Sequence, residues 1–304
     1  MLQRLLRILL RLTFRPATAE WVPVRIQRRL LAAIGALARV PEGTAVERLT
    51  AGAIPLLRVR AGGEGDAAAR PALLWAHGGG FAIGLRKQHT ALAAAISRAS
   101  GADVYLPDYR LAPEDPYPAP GDDVFAAYRA VLAEGHDPVR VALGGDSAGG
   151  ALAVSLALAA GDMDLPRPAA LVLISPLVDL GTSGASYETR RRADPLLTPD
   201  RVRAAARAHA GTLALTDPRV SPLYAELRRL PPTLIQVGED EILLDDATRL
   251  ADRIWGAGVE VELERFPGLW HCFQFSAGVL RAADEAVADL AAFLGRRWSA
   301  GDDG

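Results

Sequence analysis

The chain has 304 residues, half of them hydrophobic, with 34 basic and 36 acidic side chains and a net charge of −2. So even a balance excludes the basic field that nucleic acid demands. The single cysteine, Cys272, excludes an intramolecular disulfide framework and makes a cytoplasmic address the default expectation.

The first stretch, MLQRLLRILLRLTFRPATA, is leucine-rich, but Arg7 and Arg11 leave no apolar run long enough for a signal core or a membrane span. Its spacing is helical, with Leu2, Leu5, Leu6, Leu9 and Leu10 on one side and Arg4, Arg7 and Arg11 largely on the other. A helix packed on its own protein is expected, in preference to a membrane-bound one. Strands are then predicted over 46–49, 54–59, 72–76, 102–106, 140–143, 169–174, 233–237 and 259–264. Most after the second are short and apolar on both faces, and helical patterns over 90–99, 122–133, 148–160, 245–255 and 282–296 alternate with them. That is the pattern of an α/β fold with a mainly parallel eight-stranded sheet covered by helices on both faces. Residues 1–45 and 181–217 stand outside the alternation and are expected to pack together as a lid over the strand ends. Within the second, Thr198 or Asp200 would cap a helix running towards His209.

Open α/β sheets place ligands at the carboxyl ends of their strands. The loop after the third strand reads His77-Gly78-Gly79-Gly80-Phe81, whose glycines let backbone amides approach a ligand unobstructed. Phosphate loops are glycine-rich too, but this one has neither the G-x-x-x-x-G-K-[ST] nor the helix-opening G-x-G-x-x-G pattern, so an oxyanion hole is the expectation. His77 is read as fixing the loop. After the fifth strand comes Gly145-Asp146-Ser147-Ala148-Gly149, followed by a helix. A serine on so tight a strand–turn–helix junction needs small neighbours two residues to either side, and its hydroxyl sits where helix amides favour an oxyanion. Glycine-flanked serines also arise by chance, and the position after a strand is what makes this one a candidate nucleophile.

A serine nucleophile needs a base, and the base needs an orienting carboxylate. Of five histidines (His77, His89, His136, His209, His271), only His271 follows the last strand, where a chain order of serine, acid, histidine puts the base. The acid belongs after the penultimate strand, in GEDEILLDDA. Asp245 and Asp246 are read as opening the next helix, which leaves Asp240 and Glu241, with Asp179 a weaker third.

The motifs His77-Gly-Gly-Gly-Phe81, Tyr109-Arg-Leu-Ala-Pro-Glu114 and Gly145-Asp-Ser-Ala-Gly-Gly150, with the late histidine, make the chain from about residue 70 onward resemble the hormone-sensitive-lipase-like (family IV) carboxylesterases of the α/β-hydrolase superfamily. The resemblance implies Ser147 as nucleophile, His271 as base, and the amides of Gly79, Gly80 and Ala148 as the oxyanion hole. The family's acid is usually an aspartate with Leu or Met two residues on and Asp four on. That frame selects Glu241, before Leu243 and Asp245, over Asp240, and so a longer carboxylate than usual. Tyr109 and Arg110 would be buried support.

The implied organisation is a catalytic core over 46–180 and 218–304 with cap segments at 1–45 and 181–217. The implied activity is hydrolysis of short- to medium-chain esters through an acyl-enzyme, with no metal or cofactor. A small-molecule ester would be the partner, and pairing as a homodimer is frequent among members. Acyl transfer, amide or lactone cleavage would use the same triad. Plant gibberellin receptors share the fold without the histidine, and His271 speaks against that reading.

Overall fold

The computed structural model describes residues 1–62, 70–84 and 86–300. Helices α1 (Leu2–Ala17) and α2 (Val24–Gly35) precede a hairpin of β1 (Thr44–Ala51) and β2 (Ile54–Ala61). Its two-residue turn starts at Gly52, which takes a positive φ of 61°. There follow β3 (Ala72–Ala76), α3 (Lys87–Ser100), β4 (Asp103–Pro107), α4 (Ala119–Ala133), β5 (Val141–Asp146), α5 (Ala148–Ala159) and β6 (Leu171–Ile174). A one-turn α6 (Ser186–Thr189) and then α7 (Pro199–Ala210) lead into β7 (Thr233–Gly238), α8 (Leu244–Gly256), β8 (Val261–Phe266) and α9 (Arg281–Ala300).

The eight strands form one sheet in the order β1-β2-β4-β3-β5-β6-β7-β8, with β2 antiparallel to both neighbours and every pair from β4 to β8 parallel. The five strands from β4 to β7 in this order are buried along their whole lengths. Period-two alternation divides their side chains between two layers. Leu73, Trp75, Val104, Val172 and Ile174 meet α3 and α9 through Leu92, Ile96, Leu290 and Phe293. Leu74, Leu143, Leu171, Leu173 and Ile235 meet α4, α5 and α8 through Val124, Tyr128, Val154 and Ile254. The α/β-hydrolase architecture read from the sequence is therefore the one present.

Several boundaries differ from the sequence reading. β5 begins one residue after Arg140, which lies in a 3-10 turn, and runs three residues past Leu143, the last apolar side chain in the run. Gly144 and Gly145 carry no hydrophobic signal, yet they are strand residues chosen for closeness: a Cβ on Gly144 would stand 2.6 Å from the Trp75 ring. The one-turn α6 has no sequence period long enough to announce it.

The N-terminal helix packs on its own protein, but not by its leucine side. Leu6, Leu10 and Phe14 contact the core, whereas Leu2, Leu5, Leu9 and Leu12 are exposed. The inward stripe straddles the boundary between leucines and arginines. Arg7 donates to Ala193 O, Arg11 to Arg192 O, and Arg15 to Arg191 O, Asp194 O and Leu197 O. Those carbonyls belong to the second outlying stretch, so the two do meet, through guanidinium groups donating to otherwise unpaired loop carbonyls. Thr198, not Asp200, caps α7 by accepting from Arg201 N at 3.4 Å. Arg28 of α2 pairs with Glu114 at 2.7 Å, which ties the N-terminal stretch to the loop after β4. No described helix is long and apolar enough to cross a membrane.

Candidate active site

The serine turn is built by close approach. Ser147 has φ 53° and ψ −121°, a conformation that side chains rarely adopt, between the end of β5 and the first residue of α5, Ala148. The strain is held by neighbours: Ser147 N donates to Ile174 O at 2.9 Å, and Ser147 O accepts from Gly150 N and Leu177 N at 3.0 and 2.9 Å. A Cβ on Gly145 would lie 2.5 Å from Gly149 O, and one on Gly149 would lie 2.0 Å from Ala76 O. Both contacts are impossible, so the glycines two residues to either side are required by sterics. The hydroxyl of Ser147 opens onto a cavity of about 370 Å³ shared with Gly79, Gly80 and His271. A larger hollow of about 610 Å³ between α4 and α5 contains neither Ser147 nor His271.

The His77 loop is fixed from both sides. Its ring stacks on Tyr109 with centroids 4.1 Å apart, Nδ1 bonds Gly78 O at 2.8 Å, and Tyr109 Oη donates to His77 O at 2.6 Å. Burial pushes the His77 imidazole down to about 4, so it is neutral near pH 7 and serves the loop. Burial likewise lowers His89 and His209, the latter to about 4. Gly78 packs against Asp146, where a Cβ would come 2.2 Å from Oδ2, and Gly79 and Gly80 take φ of 126° and 62°. Arg110 is not buried as expected: its side chain is about half exposed and grips the buried Asp123 at 2.7 Å.

His271 lies in the loop after β8, 6% exposed, with Nδ1 3.0 Å from Glu241 Oε1. Its Nε2 is 3.4 Å from Cys272 Sγ. Glu241 is wholly buried, and its other oxygen accepts from Ser175 Oγ at 2.8 Å and Gly238 N at 3.0 Å. Asp240, the neighbouring candidate, points to α1 and pairs with Arg7 at 2.6 Å. Asp179 pairs with Arg249 at 2.9 Å and accepts from Ser183 and Tyr224. Glu239 pairs with Arg265. Asp245 and Asp246 lie in the first turn of α8 but serve other amides: Asp245 accepts from Ser186 N, and Asp246 from Val178 N and Asp179 N.

Burial alone would lower the His271 imidazole, but the Glu241 hydrogen bond and charge, with Asp194 and Asp146 beyond it, raise it above its ordinary value. Three of these partners were not singled out from the sequence. Ser175, at positive φ on the end of β6, bridges Glu241 and the Cys272 amide. Asp194 accepts from the amides of Leu196, Leu197 and Ile242, which pins the outlying stretch beside the histidine. Asp146 accepts from Trp75 Nε1 at 2.9 Å. Ser175 and Asp194 belong to no motif, and Asp146 passes as filler within one.

Residues 73–275 match the family described as alpha/beta hydrolase fold. The chain is 44% identical over 226 residues to an acetyl-hydrolase of Streptomyces hygroscopicus, covering 73% of this chain and 74% of that one. It is 35% identical over 268 residues to a putative acetyl-hydrolase of Mycobacterium tuberculosis, covering 88% and 86%. Among solved structures, an esterase from the bacterial hormone-sensitive lipase family superposes with a TM-score of 0.90 at 38% identity, covering 96% of this chain and 98% of that one.

Proposed function

Since the chain belongs to the hormone-sensitive-lipase-like carboxylesterases of the α/β-hydrolase superfamily and is a carboxylic ester hydrolase, we propose that it cleaves short- to medium-chain esters through an acyl-enzyme on Ser147. The observation that carries this reading is the buried His271–Glu241 pair opening onto the same cavity as Ser147. His271 takes the Ser147 proton as the hydroxyl oxygen attacks the ester carbonyl. Glu241 holds the ring by Nδ1–H and stabilises the imidazolium that forms. The oxyanion is met by the amides of Gly79 and Gly80 from the loop after β3 and of Ala148 at the start of α5. The tetrahedral adduct collapses with the alcohol leaving on the proton from His271. Water, deprotonated by the same imidazole, then attacks the acyl-enzyme and releases the acid.

Residues 1–45 and 181–217 serve as cap segments: Leu10, Phe14, Leu196, Leu197 and Val202 wall the cavity. Its volume lies near the lower end of the roughly 300–1,000 Å³ usual for small-molecule sites, which favours small acyl groups, as does the acetyl-hydrolase name of two relatives. Ser147→Ala should abolish p-nitrophenyl butyrate turnover with an unchanged circular dichroism spectrum. Turnover retained in that variant overturns the mechanism.

A further inference from the structure

The catalytic cavity holds two positive charges that the ester mechanism does not use. Arg86, just before α3, and Arg201, in the first turn of α7, both line it beside Ser147 and His271. Elsewhere several arginines pair with acids: Arg7 with Asp240, Arg60 with Asp103, Arg110 with Asp123 and Arg249 with Asp179. Arg86 and Arg201 form no ion pair among the described residues. Arg86 Nε is buried with no hydrogen-bond partner. Asp146 attracts Arg86 through space, but that carboxylate is engaged by Trp75 Nε1 and the Gly78 amide. Arg201 donates one hydrogen bond, to Thr18 O at 3.1 Å, and lies 5.4 Å from the Phe14 ring centroid. Among the described residues no acid pairs with it, and Arg86 repels it.

Burial pushes the two guanidiniums down to about 10 and about 9, still charged at neutral pH. Two like charges without an ion-pair partner among the described residues, in a pocket walled largely by Leu10, Phe14, Leu177, Trp270 and Phe275 and holding the already engaged Asp146, cost stability. Such an arrangement persists where a ligand supplies the missing charge. Guanidinium forks match the two or three oxygens of a carboxylate or phosphate, and apolar walls strengthen the attraction.

Resting on the esterase reading above, we propose that Arg86 and Arg201 form an anion subsite, so that the preferred substrate is an ester carrying a carboxylate or phosphate group elsewhere in the molecule. The reaction is unchanged; the anion is a handle that seats the ester carbonyl against Ser147.

The test compares kcat/KM within two pairs of similar size that differ in charge, on the full chain. Monomethyl glutarate against methyl pentanoate places a carboxylate on the acyl side. The butyrate ester of 2-hydroxyethyl phosphate against butyl butyrate places a phosphate on the alcohol side. At least one anionic ester should exceed its neutral partner by about tenfold or more, the scale of a charge-assisted hydrogen-bond pair, and the pair that does so identifies the anion. In Arg86→Gln and Arg201→Gln that ratio should fall towards one, with Arg201→Lys keeping part of it. Ratios at or below one in both pairs for the unsubstituted enzyme overturn the proposal, as does a preference that survives both glutamine substitutions. Failure of the esterase reading is separate: the neutral esters would then be cleaved as fast by Ser147→Ala as by the unsubstituted enzyme.

Discussion

Glu241 and Asp240 are adjacent in the chain and differ by one methylene, yet their side chains do unrelated work. Glu241 reaches the His271 imidazole and is held there by Ser175 and the Gly238 amide, while Asp240 anchors Arg7 of α1. Glu241→Gln should lower kcat/KM by at least about 100-fold, because a misoriented, unsupported imidazole is a poor base. Asp240→Asn should change kcat by less than about 3-fold, since it loses only a partly exposed ion pair away from the imidazole. The proposed mechanism needs the base form of His271, so activity should fall as pH drops through its pKa, which Glu241 holds above the ordinary imidazole value against burial. In Glu241→Gln the bond and charge are lost, burial prevails, and the acidic limb of the kcat/KM profile should move to lower pH. A limb that stays in place would show that Glu241 does not set it.

Helix α1 shows how an element can be placed by its polar side. Arg7 alone reaches Ala193 O, Gly268 O and Asp240, which joins the N-terminal segment, the stretch before α7 and the loop that ends in His271. Charge-assisted hydrogen bonds at partly buried groups contribute roughly 1.5–3 kcal/mol, and Arg7 is 27% exposed, so the lower end applies. Arg7→Ala should therefore loosen α1 over the cavity and raise KM for p-nitrophenyl butyrate several-fold with a smaller change in kcat. Steady-state kinetics check this, and an unchanged KM would mean that Leu6, Leu10 and Phe14 with Arg11 and Arg15 keep α1 seated without Arg7. The helical period of this segment was legible in the sequence. Its orientation was not, because a hydrophobic stripe points inward only when nothing stronger competes, and here three guanidiniums compete for loop carbonyls.

Across the whole molecule, stability is tied to buried acids that serve backbone amides. Asp246 joins α8 to the loop after β6 by accepting from Val178 N and Asp179 N, and burial pushes its carboxyl up to about 8. The folded protein thus holds a proton that the unfolded chain, with an ordinary carboxyl near 3.8, releases. Stability contributed by that proton is complete below the unfolded value and is lost as pH rises to about 8. Buried His77, His89 and His209, with lowered pKa values, act in the opposite sense up to the ordinary imidazole value of 6.5. The decline in melting temperature is therefore to be read between about pH 7 and pH 8, on the order of a degree or more. Asp246→Asn, which cannot ionise, should show a shallower decline; an equal slope would place the pH dependence elsewhere.

Much of this protein was set by its sequence. Alternating apolar runs specify a parallel sheet with two helical layers, since burial on both faces leaves no other economical arrangement. The glycine spacing about Ser147 specifies the turn, since a Cβ at Gly145 or Gly149 would strike backbone. The position of His271 after the last strand follows from chain order. What the tertiary structure alone decided are relations between residues far apart in the chain. It aimed Glu241, and not Asp240, at the imidazole, and it brought Ser175 and Asp194 to that pair from other elements. It turned an arginine seam of α1 inward and left Arg86 and Arg201 facing one cavity, neither in an ion pair among the described residues. Local propensity and period act over a few residues, whereas the direction of a side chain and the company of a charge depend on which distant backbone packs against them.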